Sequence, residues 1–205
     1  MRSSNEQKQK NRESILEAAG RLFRARGVHG VTVAEVMQAA GMTHGGFYRH
    51  FADKDDLVAH TVAELLVPDD TDAEISHIGE FAATYLTADH RDGIDCGCVF
   101  ASLGSEAVRG PMTTREVMTD AIRHQIEKFK GTAPGTDERE RKRAAVASWA
   151  AMIGALILAR ISVDADLSND ILNGTLAWLQ KNPPGSSKQN EAPTRGAQGA
   201  PQRVG

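Results

Sequence analysis

Between Glu13 and Leu57 the chain sets short apolar-periodic stretches between stop and start signals spaced too closely for anything but small helices. Ile15, Leu16, Ala18, Ala19, Leu22 and Phe23 recur at helical spacing, and Gly27 ends that helix, which is expected from Glu13 to Arg26. Thr32-Val33-Ala34-Glu35 has the residues of a capping box, in which Thr32 accepts from an early backbone amide and Glu35 reaches back. The helix it opens runs through Ala40 and stops at Gly41. Thr43 is placed to cap a third helix, His44 to His50, and Asp53 a fourth that starts Lys54-Asp55-Asp56-Leu57, where acids suit the helix dipole. Two short helices joined by Gly41-Met42-Thr43, with a helix ahead to pack on, are the parts of a helix-turn-helix.

The remainder also reads as helices, expected over 73–88, 100–108, 113–130, 138–161 and 169–181, with turn formers at the breaks. No segment alternates with a period of two for long enough to demand a strand, so the expected fold is all-α. After Asn182-Pro183-Pro184 the residues are mostly small or polar, and a disordered tail is expected. The division that follows is 1–54 for the helix-turn-helix domain, 55–181 for a helical ligand-binding and dimerisation domain, and 182–205 for the tail. Residues 144–159 hold no charge, but this stretch falls short of the roughly 20 apolar residues of a membrane span. Arg139, Arg141, Lys142, Arg143 and Arg160 flank it, so a buried or subunit-interface helix is expected and no membrane partner.

The formal charge of the 205-residue chain is −3, which on its face argues against a polyanionic partner. Resolved along the chain it reverses. Residues 1–54 hold nine Lys and Arg against five Asp and Glu, a net +4, which leaves −7 on the rest. A basic head on an acidic body suits binding to a polyanion through one end. The two cysteines, Cys96 and Cys98, are too close in sequence to staple distant segments. With no apolar stretch after Met1, a reducing cytoplasmic location is expected.

Within the head, Thr32, Thr43 and Lys54 stand at three helix starts where phosphates bind, and Tyr48 and His50 are hydrogen-bonding side chains on the recognition segment. Gly45 and Gly46 cost about 1 kcal/mol each against alanine, yet they remove side chains that hold a backbone away from base edges. The run Ile15-Leu16, Ala18-Ala19, Leu22-Phe23, Gly27, Val31-Thr32-Val33, Val36, Ala39 to Thr43, Phe47-Tyr48, His50-Phe51, Lys54 and Leu57 resembles the N-terminal domain of TetR-family transcriptional regulators. The resemblance covers about a quarter of the chain. It implies an all-helical homodimer with a three-helix DNA-binding domain, a linking fourth helix and a C-terminal domain for ligand and partner subunit. By the same resemblance Thr32, Thr43, Tyr48, His50 and Lys54 contact phosphates of a double-stranded operator, and His44 and Gly45 fall where bases are approached. Gly46 departs from the more usual Thr, Ser or Ala.

On the helix 138–161, Ala145, Trp149, Ile153 and Ile157 fall four apart, and Ile171, Thr175 and Leu179, widened by Leu172 and Leu176, share a side of the last helix. These helices either pair with a second subunit or close the subunit's own core. Phe81, Tyr85, Phe100, Leu103, Met118, Ile122 and Met152, with Cys98 and Trp149, are the candidates for an internal cavity holding an unidentified small-molecule effector. The segment from Asp95 to Glu106 is similar to a Gly-Cys motif in a subset of TetR-like proteins, some of which sense electrophiles or oxidants. Cys98 thus reads either as a sensing thiol at a helix start or as a small buried residue. No nucleophile elbow, nucleotide loop or paired metal motif suggests catalysis, a cofactor or a metal. The expected function is a ligand-responsive regulator, a repressor rather than an activator, that binds a palindromic operator as a homodimer.

Overall fold

The computed structural model describes residues 2–67 and 77–181, the side chains from residue 5. Among the described residues there are helices and no strands. In chain order they are α1 (Arg2–Arg26), α2 (Val33–Ala39), a 3-10 segment (His44–Arg49), α3 (Lys54–Leu65), α4 (Ile78–Tyr85), α5 (Ala88–Asp92), α6 (Val99–Ala107), α7 (Met112–Lys130), α8 (Glu138–Ile161) and α9 (Ala165–Lys181). The expected tail, 182–205, and the start of the helix expected over 73–88 lie outside the described residues. In place of that one helix, the described part holds two, α4 and α5.

α1 buries Ile15, Leu16, Ala18, Ala19 and Phe23 and ends where Gly27 takes φ +74°, its amide donating to the Phe23 carbonyl at 2.8 Å. It starts eleven residues before Glu13. That polar half has no apolar stripe to betray it, and side-chain bonds one turn apart brace it, Gln7 to Asn11 (2.8 Å) and Gln9 to Glu13 (2.9 Å). α2 closes with Gly41 at φ +72°, with the Gly41 amide on the Gln38 carbonyl and the Met42 amide on Met37, the paired bonds of a Schellman motif. The next segment is a 3-10 helix, not the α-helix expected, and the two glycines at 45 and 46 account for the weak α-helical preference.

Two apolar clusters organise the molecule. The first joins α1, α2, Phe47, Phe51 and α3 to Val99, Leu103 and Ala107 of α6 and Met118 of α7. Packing therefore does not stop at residue 54: α3, α6 and α7 share a core with the head. Polar bonds reinforce that seam, the Glu106 carboxylate accepting from the Val28 amide (2.6 Å) and Arg24 reaching the Gly97 carbonyl (3.4 Å). The second cluster gathers α4, α7, α8 and α9 around Phe129, Trp149 and Met152.

α8 is long and apolar enough to cross a membrane by composition, yet Ala144, Ala145, Ser148, Trp149, Met152, Ala155, Leu156 and Ala159 are buried against the rest of the body. Ala145, Trp149, Leu172 and Leu179 thus belong to the subunit's own core rather than to a face left for a partner. The apolar surface that α8 and α9 leave open is offset from it, at Val146, Leu158, Ile161, Leu167 and Trp178.

Candidate nucleic-acid interface

At the start of α2 the capping box forms completely. The Thr32 hydroxyl accepts from the Glu35 amide (3.2 Å) and donates to the Glu35 carboxylate (2.8 Å), which also takes the Thr32 amide (2.8 Å). Those bonds, with Arg26 at 2.8 Å, hold the Glu35 carboxyl down at about 2. Thr32 therefore has both its hydroxyl and its amide committed inside the chain. The early amides that remain, of Val33 and Ala34, are what this helix start offers to an anion.

Thr43 differs from that expectation in the other direction: its side chain makes no cap bond. Its exposed hydroxyl is unspent, because a 3-10 turn closes instead through the Gly46 amide on the Thr43 carbonyl (3.0 Å). His44 and Tyr48 stand on the surface of this segment, Tyr48 70% exposed. The Tyr48 ring is nevertheless held, edge-on against buried Phe47 at 5.2 Å and His44 at 6.4 Å, so the phenol projects from a fixed base.

A Cβ on Gly45 meets nothing within 4 Å, and one on Gly46 meets only the Met37 methyl at 3.6 Å. Neither glycine has positive φ. Among the described residues no close contact and no backbone angle requires them. At the next helix start Asp53 caps α3 as expected, accepting from the Asp56 amide (2.8 Å), and Asp56 accepts in turn from the Ala52 amide (2.9 Å). Lys54 occupies the first helical position, with no ion pair among the described residues.

His50 closes the segment. Its carbonyl accepts from Arg12 (2.9 Å), while its Nδ1 is buried without a partner. Burial first, then the charges of Lys8, Arg12 and Arg49, push its pKa below the ordinary imidazole value, which favours the neutral ring. The surface as a whole offers a free hydroxyl, a projecting phenol, a lysine and unspent backbone amides, the donor set that phosphate oxygens accept from.

The nine candidates for an effector cavity do not share one place. Phe81, Tyr85, Phe100, Trp149 and Met152 converge in the second cluster, with ring centroids 5.7 Å apart for Phe81 and Tyr85 and 5.8 Å for Phe100 and Trp149. Leu103 and Met118 lie in the first cluster instead, at a small cavity of about 50 Å³ on the seam between head and body. Ile122 is a surface residue, 38% exposed, so it lines no interior cavity in the subunit.

Phe129, fully buried, with its ring centre 5.0 Å from that of Phe81 (edge-on) and 5.7 Å from that of Trp149 (tilted), is the centre of the aromatic group that periodicity did not single out. Among the described residues, Trp149 Nε1 and Ser148 Oγ are buried there without hydrogen-bond partners, and Tyr85 Oη has only the Cys98 thiol beside it. Burial and the adjacent Cys98 thiol push the Tyr85 hydroxyl pKa upward.

His90 and Arg160 also escape a reading of the sequence. The Cys98 amide donates to His90 Nε2 (3.1 Å), so Nδ1 carries the proton and donates to the Tyr85 carbonyl (2.7 Å). Both ring nitrogens are thus spent on the backbone. Arg160 fastens the same turn through the carbonyls of Arg91 (3.0 Å) and His90 (2.9 Å). No residue type in the sequence signals such a clamp, since its partners are backbone atoms some seventy residues away.

A helix-turn-helix head with a capped first helix, a Schellman turn and an exposed second segment is thus fused to a larger helical body. Residues 15–61 match the family described as "Bacterial regulatory proteins, tetR family". The HTH-type transcriptional regulator AcrR of Shigella flexneri is 35% identical over 86 residues, 42% of this chain and 40% of that protein. TtgR of Pseudomonas putida, also an HTH-type transcriptional regulator, is 43% identical over 58 residues, 28% of each. The match thus spans 40% or less of the length of these curated relatives.

Among solved structures, a TetR-family regulator from Agrobacterium tumefaciens superposes with a TM-score of 0.66 at 21% identity, covering 82% of this chain and 97% of that one. Reduced NemR of E. coli gives 0.64 at 21%, covering 83% and 95%. Residues 15–61 thus resemble the family's domain, and the all-helical chain shares the fold of these solved structures.

Proposed function

We propose that this protein is a homodimeric, ligand-responsive repressor of transcription that binds a palindromic operator through the surface from Thr32 to Lys54. One observation carries the reading: on the exposed recognition segment, Gly45 and Gly46 serve no internal purpose while Thr43 and Tyr48 hold their hydroxyls unspent. A backbone kept bare at a cost to its own helix suits close approach of another molecule, and the flanking donors suit phosphates. Thr43, Tyr48, His50 and Lys54, with the amides beyond Thr32, are the phosphate contacts, and His44, Gly45 and Gly46 face the bases.

The open apolar surface of α8 and α9, with Leu158, Ile161 and Trp178, supports pairing across a two-fold axis, which sets two heads on successive half-sites. Trp149 Nε1 and Ser148 Oγ, unpartnered among the described residues, support an effector with an apolar body and hydrogen-bonding groups. An effector favouring a wrongly spaced pair of heads lowers operator affinity by no more than its own preference between the two states. Cys98, half-buried at the start of α6 beside Tyr85, gives an electrophile or oxidant a route to the same aromatic group.

The test is selection of binding sites from random duplex DNA with the full chain, followed by anisotropy titrations at several salt concentrations. An enriched inverted repeat, bound with a steep salt dependence that Tyr48→Ala and Lys54→Ala both weaken, is the expected result. Failure to enrich any sequence at low salt refutes the reading. For the thiol branch, operator release by a maleimide that persists in Cys98→Ser removes Cys98 from the mechanism.

A further inference from the structure

The polar first half of α1, which no apolar stripe announces, forms one wall of a groove against the end of the 3-10 segment. Asn5, Lys8, Gln9, Arg12, Arg49 and His50 line it, and none of the six is acidic. Arg12 is fixed there: its guanidinium lies 4.4 Å from the centre of the Phe51 ring while Nη1 donates to the His50 carbonyl (2.9 Å). Gln9 is steadied by Glu13 at 2.9 Å. Lys8 and Arg49 are exposed and carry no ion pair among the described residues.

Three cations that converge on one groove repel one another, and His50 adds a buried Nδ1 with no partner. Such a set is stabilised by an anion that accepts several hydrogen bonds at once. A phosphate is that anion. Two of the lining residues, Arg49 and His50, end the same segment that bears Thr43 and Tyr48, so a duplex lying on that segment runs its backbone past the groove.

We propose that Lys8, Arg12, Arg49 and His50 form a backbone-phosphate site that extends the DNA interface from the helix-turn-helix onto the amino-terminal turns of α1. The proposal rests on the DNA-binding reading above. It adds a clamp that the residues 15–61 matched to the family do not contain in full, since Lys8 and Arg12 lie before them.

The experiment compares the salt dependence of operator binding for the full chain and for Lys8→Ala, Arg49→Ala and Lys10→Ala. Lys10 stands on the same helix outside the groove, so it controls for net charge, and all three residues are exposed, so folding is spared. Removing one cation that pairs with a phosphate is expected to make the slope of log affinity against log salt shallower by about 0.9. That change is expected for Lys8→Ala and Arg49→Ala, with the slope of Lys10→Ala unaltered.

Equal slopes for all three variants, with Tyr48→Ala still weakening binding, overturn the clamp and leave the DNA reading standing. A wild-type chain that binds no duplex overturns both. Titration with inorganic phosphate, followed by the NMR signals of the His50 ring, separates the sources of phosphate. Saturable shifts that vanish in Lys8→Ala, together with unchanged DNA slopes, assign the groove to a free phosphoester and overturn the backbone site.

Discussion

The head and the body solve the same problem of buried polar groups in opposite ways. From Thr32 to Asp56 nearly every capping group finds its partner within five residues: Thr32 with Glu35, Gly41 and Met42 with the end of α2, Asp53 with Asp56. Around Trp149 the polar atoms are buried with aromatic neighbours and no partner, and the groups that are satisfied, such as His90 and Arg160, depend on carbonyls far along the chain or on a neighbouring turn. An unmade buried hydrogen bond costs about 1–3 kcal/mol. The caps of the head are thereby closed locally, although its core is shared with α6 and α7, whereas the body keeps unsatisfied donors at the place where an effector is proposed to bind.

The comparison breaks first at the two cores. Phe47→Ala and Phe129→Ala remove fully buried rings, and each is expected to cost about 3–5 kcal/mol in urea unfolding. Because α6 and α7 share the head's core, Phe47→Ala is expected to unfold the chain in one transition. A separate early transition for the head requires a weaker seam than Glu106 and Leu103 provide.

Gly27→Ala comes next. A side chain at φ +74° is strained and meets the Glu106 carboxylate that holds the Val28 amide, so a loss of about 1–3 kcal/mol is expected by thermal unfolding.

Thr32→Ala removes the α2 cap for about 1 kcal/mol. Its partner Glu35 titrates at about 2 in the folded chain, below its ordinary 4.5, so the acid's contribution is complete above pH 4.5. That contribution is lost as pH falls through the folded value. Glu35→Gln is therefore expected to flatten the pH dependence of stability between about pH 4.5 and 2, and an unchanged acid limb refutes the assignment.

Trp149→Phe and Gly45→Ala sharpen the contrast at the smallest scale. The first deletes an unpartnered donor, and is expected to cost less than about 1.5 kcal/mol despite the smaller ring system. A cost near that of Phe129→Ala means that Nε1 is satisfied. The second places a methyl in open space and is expected to stabilise the head by up to about 1 kcal/mol while weakening operator binding. Stabilisation with unchanged DNA affinity removes the reason offered for the bare backbone.

Several features of the head are legible in the sequence because they are local. Thr32 and Glu35, Gly27 and Gly41, and Asp53 act over three or four residues, a spacing that the sequence displays directly. The recognition segment is located by the same signals, although its 3-10 form is not, since Gly45 and Gly46 weaken an α-helix without naming what replaces it. Thr43 fails to cap with its side chain because the 3-10 turn closes through the backbone instead. The amino-terminal half of α1 is invisible because apolar periodicity detects only helices that bury a stripe, and Lys8 and Arg12 belong to a helix that does not bury one there.

The apolar stripe on α8 and α9 shows the complementary limit. Ala145, Trp149, Leu172 and Leu179 have the right spacing for any apolar surface, and spacing does not say whether that surface belongs to the same subunit or to another. The cavity candidates do not converge for a related reason: α6 lies between the two clusters, so Leu103 is buried in the first while Phe100, one turn away, packs against both.

By itself the sequence determined the helical class, the caps of α2 and α3 and the glycine turns of the head, and the contrast of a basic first quarter with an acidic remainder. Only the tertiary structure decided which face of each body helix is core, that α3, α6 and α7 lock to the head, and that Lys8, Arg12, Arg49 and His50 meet in one groove. The reason is the range of the interactions. Capping bonds and helical periodicity span three or four positions, whereas these meetings are set by how whole helices pack, and no local pattern encodes them.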